Sequence, residues 1–159
     1  MTSRTLCQTP DMTQERVNLD SSVGYVLKQA AAALRNAMDA ALRPLELSVP
    51  QYACLELLGQ RQGLSAAELA RGAFVTRQSM HTVLQGLQDR GLLTRPSTAP
   101  QGRALPTQLT DRGAHLLAQA SHAVADVERR MLAALPTGHP DRLRQDLAAC
   151  ANALTPAEH

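Results

Sequence analysis

Between residues 76 and 90 the chain carries Arg77, Gln78, Ser79, His81, Thr82 and Gln85, six side chains able to donate hydrogen bonds. In the same stretch Met80, Val83, Leu84 and Leu87 recur at i, i+3, i+4 and i+7, so an α-helix sorts the polar and apolar sets onto opposite sides. Groups of these types hydrogen-bond base edges and phosphate oxygens, and an arginine near the helix start reaches a phosphate or a guanine. No acid interrupts the polar side until Asp89. A carboxylate there would repel a phosphodiester backbone, so its absence over about three turns is what contact with a duplex requires. A polar helix face is ordinarily only a solvated one, and its meaning depends on the elements that hold it.

Other chemistries find less support. There is no Gly-rich phosphate loop, no His-Glu-x-x-His, no nucleophile elbow and no close pair of carboxylates, so no enzyme is expected. His115 and His122 are seven residues apart, about 10 Å along a helix, too far to chelate one ion. Neither a metal nor another cofactor is expected. The three cysteines, Cys7, Cys54 and Cys150, leave an odd thiol after any pairing and argue against a disulfide scaffold. Together with the lack of a run of about eighteen apolar residues, this predicts a cytoplasmic protein. Cys54 and Cys150 fall in apolar surroundings and are expected to be buried small hydrophobes.

The 159 residues are 44% hydrophobic but only 2% aromatic. An interior of Leu, Ala, Val and Met suits helices packed on helices, and a mainly α fold is expected. Net charge is only +2, yet between Arg61 and His115 seven arginines face three acids. This local surplus, rather than the total, is what steers a polyanion.

The polar face sits in a particular succession of elements. Residues 1–18 mix charge, Pro and Thr without a period and are expected to be a flexible tail. A long first helix starts at Asp20 or Ser21, carries Val23, Leu27, Ala30, Leu34 and Met38 on one stripe, and ends at Pro44. Ser48 and Gln51, then Ser65 and Glu68, have capping-box spacing and open a second helix to about Gln60 and a short third closing near Gly72. Phe74 and Val75 are expected to pack the turn that follows. Thr76 caps the fourth helix, which Gly91 ends, with Leu92 behind it. Two alternating arms around a Pro- and Gly-rich tip then predict a short hairpin, with Leu105, Thr107 and Leu109 on one face and Pro96 and Pro106 limiting its ladder. Thr110 and Asp111 open a long fifth helix whose stripe runs from Leu116 to Leu135, and Leu143, Leu147, Cys150 and Leu154 mark a last one. Gly86 is out of place inside the fourth helix, where Gly costs about 1 kcal/mol relative to Ala.

Helix, short helix, polar-faced helix and hairpin, in that order, make a winged helix-turn-helix. The terminal helices carry apolar stripes too long for so small a unit to cover, and a second copy of the chain is the expected partner. A two-fold pair would set its recognition helices roughly 34 Å apart, one turn of B-DNA. The expected organisation is therefore a DNA-binding unit at 45–110 and a helical dimerisation region at 19–44 and 111–155.

The segments "LSVPQYACLELL", "GLSAAELARGAFVTRQSMHTVLQGLQDRGLLTR" and "GRALPTQLTDRG", the last ending in Leu-Thr-x-x-Gly, resemble the MarR family of winged-helix transcriptional regulators over about residues 20–155. The resemblance implies homodimers on palindromic operators, usually repressing, and released by a small, often aromatic, anion or by an oxidant. It implies major-groove contacts from Gln78, Ser79, His81, Thr82 and Gln85, with Ser65, Thr76 and Arg77 beside them. Arg95 opens the wing, and Arg103 matches the arginine that enters the minor groove; Gln101 replaces the acid that the family commonly has two residues earlier. It also implies an effector pocket among the first, second and fifth helices, near Tyr25 and Tyr52 with Cys54 alongside. A thiol-based oxidant sensor is the alternative within the family, although the first helix has no cysteine. A winged-helix module that binds only protein is the alternative outside it.

Overall fold

The computed structural model describes residues 18–61, 63–95, 107–136 and 139–155. The amino-terminal tail and Cys7, and the hairpin tip with Pro96, Gln101, Arg103, Leu105 and Pro106, lie outside the described residues.

Side-chain caps decide where five of the six described α-helices begin. The first helix, α1 (Val23–Leu42), starts later than expected: Leu19–Ser21 form a 3-10 turn, and it is the Ser22 hydroxyl that accepts from the Tyr25 N–H at 3.2 Å. Pro44 lies in a second 3-10 turn, Arg43–Leu45, which ends at Glu46 in the left-handed conformation. In α2 (Val49–Gln60) and α3 (Ala66–Gly72) the expected capping boxes are complete, with Ser48 exchanging bonds with Gln51 and Ser65 with Glu68. Thr76 caps α4 (Arg77–Asp89), and the chain leaves it through Gly91 at φ +67, the conformation for which Gly pays least. Strand β1 (Leu93–Thr94) pairs antiparallel with β2 (Gln108–Leu109), Leu93 opposite Leu109. Thr110 then caps α5 (Asp111–Leu132), and α6 (Pro140–Leu154) completes the described chain.

The core lies where α2, α3 and α4 meet the hairpin and the end of α1. Leu42, Leu55, Leu69, Met80, Leu84 and Leu87 are all fully buried there. Helix α1 packs on α5 and α2, and α2 packs in turn on α4 and α5. Gly113 joins α5 to this core at close range: a Cβ on it would stand 1.9 Å from the Leu92 carbonyl oxygen. The Thr and the Gly of the Leu-Thr-x-x-Gly segment thus have separate duties, Thr110 capping the helix and Gly113 letting the Leu92 backbone approach.

Three expectations need correction. Phe74 does not pack the turn. Its φ of 55 sends the side chain outward, leaving it 93% exposed, while Val75 beside it is half-buried. Cys150 is exposed, as is nearly all of α6, which buries no residue among those described, whereas Cys54 is buried as expected. Helix α5 also ends at Leu132, short of the stripe's last member, Leu135. Gly86 meets nothing closer than the Gln51 amide nitrogen, 3.7 Å from a Cβ built there, so no close helix approach accounts for it.

The terminal helices leave a continuous apolar surface. Val23 is 78% exposed and Val26 55%, and Leu27, Met131 and Leu147 are also exposed. An open groove of about 600 Å³ runs between α1 and the ends of α5 and α6, walled by Val26, Leu27, Leu34, Met131 and Leu143. Among the described residues no helix is long and apolar enough to cross a membrane, and no three potential metal ligands cluster.

Candidate nucleic-acid interface

Helix α4 presents the expected two-sided surface. Met80, Leu84 and Leu87 are fully buried, while Arg77, Gln78, Ser79, His81, Thr82 and Gln85 are exposed. The Thr76 hydroxyl accepts from the Ser79 N–H at 3.1 Å and donates to the Ser79 hydroxyl oxygen at 2.9 Å. Its own hydrogen is therefore spent, and that of Ser79 is left to point outward. One turn on, the Thr82 hydroxyl donates weakly to the Gln78 carbonyl at 3.4 Å. The Gln85 amide donates to Asp89 at 2.8 Å, so the one acid on α4 is engaged by a neutral neighbour and Gln85 keeps its carbonyl for an outside donor.

At the start of α3, Ser65 donates both its N–H and its hydroxyl to the Glu68 carboxylate, at 2.8 and 2.7 Å. These bonds hold the Glu68 carboxyl below the usual carboxylate range. What Ser65 offers an external group is then chiefly its position at a helix start.

The basic residues divide into two sets. Arg61, Arg71, Arg77 and Arg112 are exposed, and Arg95, following β1, is half-buried. Arg90 is turned inward: its Nη1 donates to the Glu46 carbonyl at 2.7 Å and its Nη2 to that of Leu45 at 3.4 Å. One member of the positive surplus counted from sequence therefore serves the fold. Arg103 lies outside the described residues.

The three residues connected with an effector occupy three different environments. Tyr25 is exposed near the start of α1, Tyr52 is half-buried on α2, and Cys54 is fully buried. None of them lines the groove between α1, α5 and α6. Burial pushes the Cys54 thiol up to about 12. Burial likewise raises the Tyr52 phenol, a shift that a hydrogen bond with Ser121 opposes and the Glu56 charge reinforces. The Ser121 hydroxyl donates to Glu56 at 2.6 Å across the α2–α5 contact, and Gln60 donates to its other oxygen at 2.6 Å. Partial burial alone would raise the Glu56 carboxyl, but the hydrogen bonds from Ser121, Gln60 and Tyr52 outweigh it and hold the group low. This polar cluster escapes sequence reading, because Ser121 lies 65 residues from Glu56 and only the fold joins them.

Known proteins share both sequence and architecture with this chain. The family model described as MarR family matches residues 45–104. The HTH-type transcriptional repressor Rv2887 of Mycobacterium tuberculosis is 47% identical over 116 residues, covering 73% of this chain and 84% of that protein. A crystal structure of the M. tuberculosis MarR family protein Rv2887 in complex with DNA is similar at a TM-score of 0.70 and 40% identity, covering 82% of this chain and 98% of that one. The structure of the same protein in complex with salicylic acid matches at a TM-score of 0.70 and 42% identity, with 82% and 97% covered.

Proposed function

Because the chain belongs to the MarR family of transcriptional regulators, we propose that it is a homodimeric repressor that reads a palindromic operator and is released from it by a small aromatic acid. The observation that carries this reading is the face of α4, exposed, free of acid for three turns and held at its start by Thr76. Residues 45–110 act as the DNA-binding unit. Helix α4 enters the major groove, where Gln78, Ser79, His81, Thr82 and Gln85 hydrogen-bond base edges and Arg77 reaches phosphate or guanine. Ser65 and Thr76 bring two helix starts to the phosphates. Arg95 and Arg103 extend the contact along the wing, with Arg103 in the minor groove. The solved complex of Rv2887 with DNA supports DNA as the partner.

Residues 19–44 and 111–155 form the dimerisation region. Exposed Val23, Val26 and Leu27 and the groove beside them are the apolar surface that a second copy would cover. An aromatic acid as effector is supported by the complex of Rv2887 with salicylic acid. Tyr25, Tyr52 and Cys54 are the effector-associated residues proposed, and of these Tyr52 has its hydroxyl beside other polar groups. Such a ligand acts only through its different affinities for the DNA-competent and incompetent conformations. Thiol sensing at Cys54 is disfavoured, since a buried thiol held at about 12 is almost wholly un-ionised at neutral pH.

The test is a fluorescence-anisotropy titration with duplexes that the protein selects from a random pool. Log affinity is expected to fall linearly and steeply with log salt, and salicylate to release the bound duplex. Gln78→Ala is expected to weaken the selected duplex by about 1–3 kcal/mol with the fold unchanged. Equal affinity for every duplex, or binding indifferent to salt, refutes the reading.

A further inference from the structure

The inward turn of Arg90 does something that capping and burial leave undone. Helix α4 packs chiefly on α2 and α3, and α1 on α2 and α5. Arg90, the residue that caps the carboxyl end of α4, reaches the corner that follows α1, where the left-handed Glu46 presents its carbonyl. The guanidinium holds two successive carbonyls, those of Leu45 and Glu46, which lie 45 and 44 positions away. Two donors of one planar fork fix an angle as well as a distance, which a single ammonium cannot do. Both acceptors are backbone atoms, so no side-chain change at Leu45 or Glu46 removes them, and the link is controlled from Arg90 alone.

The angle matters because of the length of α4. Thirteen residues span about 20 Å, and tilting such a rod by about 10° about its carboxyl end moves its reading end by about 3.5 Å. That is one base-pair step of B-DNA, about 3.4 Å. Two copies of such a rod select a half-site spacing only if each is held more tightly than this. Resting on the reading of the protein as a dimeric operator-binding regulator, we propose that Arg90 is a positioning residue that ties the recognition helix to the α1 corner and so sets the half-site spacing that the dimer accepts.

The experiment compares wild type, Arg90→Met and Arg90→Lys on palindromic duplexes built from the half-site that wild type selects, with the centre lengthened or shortened by one base pair. Wild type is expected to lose on the order of tenfold affinity at either altered spacing, in line with the geometric demand on paired half-sites. Arg90→Met is expected to bind all three duplexes within about threefold of one another, and Arg90→Lys, whose rotatable ammonium fixes no angle, to fall between. Circular dichroism and the thermal midpoint establish that each variant is folded; if Arg90→Met is not, Arg90→Lys decides. A uniform loss that preserves the spacing preference would reduce Arg90 to a structural residue and overturn the inference, as would an unchanged profile. If wild type itself binds no duplex selectively, the operator reading falls first and this inference with it.

Discussion

Replacing glycine by alanine at two helix positions should move stability in opposite directions. Both Gly86 and Gly113 lie within helices, where the change alone is worth about 1 kcal/mol in favour of alanine. At Gly86 the new methyl meets only the Gln51 amide, at an ordinary 3.7 Å, so nearly the whole gain should be realised. At Gly113 it would lie 1.9 Å from the Leu92 carbonyl oxygen, and reaching an ordinary contact near 3.4 Å moves the start of α5 by about 1.5 Å. That shift stretches the Thr110 N–H bond to Leu92, now 3.2 Å, and the Thr110 hydroxyl bond to Gly91, now 2.7 Å. Two weakened hydrogen bonds at about 0.5–1.5 kcal/mol each and overpacking at about 1–3 kcal/mol exceed the propensity gain. Gly113→Ala should cost roughly 1–5 kcal/mol. Urea unfolding at fixed protomer concentration, with the slope unchanged between variants, reads both values. If the two substitutions stabilise alike, propensity governs both sites, and the close approach at Leu92 does not constrain the fold.

Phe74→Gly should raise stability. A non-glycine residue in the left-handed region costs about 1–2 kcal/mol, of which the added freedom of an unfolded glycine takes back about 0.5–1, and a 93% exposed ring has little packing to lose; a lowered thermal midpoint would contradict this. Cys54 should resist iodoacetamide at pH 8 in the folded protein and react once urea unfolds it, because burial holds its thiol near 12; peptide mapping by mass spectrometry that finds it alkylated in the native state would refute its burial. Glu56, with its carboxyl lowered on folding, contributes stability in full above the ordinary carboxylate pKa, and that contribution is lost as pH falls through the lowered value. Wild type should therefore lose more stability than Glu56→Gln between pH 5 and 3, and parallel curves would show the cluster to be unimportant.

What could be read from the sequence was local. Capping boxes span three residues, and those at Ser48 and Ser65 stand where their spacing puts them. The stripe of α4 was legible for the same reason, since Met80, Leu84 and Leu87 meet one core through one helix. Features that depend on distant chain were not. Arg90 looks like any other arginine of a basic region until the corner 44 residues earlier is folded against it. Glu56 and Ser121 carry no mark of each other, and the reason for Gly113 lies in the carbonyl of Leu92. Phe74 was misjudged because an apolar residue in a turn suggests packing, whereas one backbone dihedral decides the direction of its side chain. For Cys150 the periodicity of α6 is real, yet among the described residues α6 buries none of its side chains.

The distribution of burial argues for how the two regions communicate. Fully buried side chains of α1 are confined to its last residue, Leu42, and α6 has none, while α2, α3 and α4 each bury side chains completely in one core. Helix α1 is thus anchored in that core at one end and exposed at the other. Val23, Val26 and Leu27 lie at the open end, where a second copy would close on them, and Leu42 is only four residues before the Glu46 carbonyl that Arg90 holds. A helix is stiff over twenty residues, so a change in how its open end is covered can be absorbed only by movement at its anchored end or by loss of the cover. The Tyr52–Glu56–Ser121 cluster sits on the two helices, α2 and α5, against which α1 rests. A change in that cluster would therefore bear on the seat of α1, and through the Leu42–Glu46 corner on α4, without touching the exposed side chains of α4.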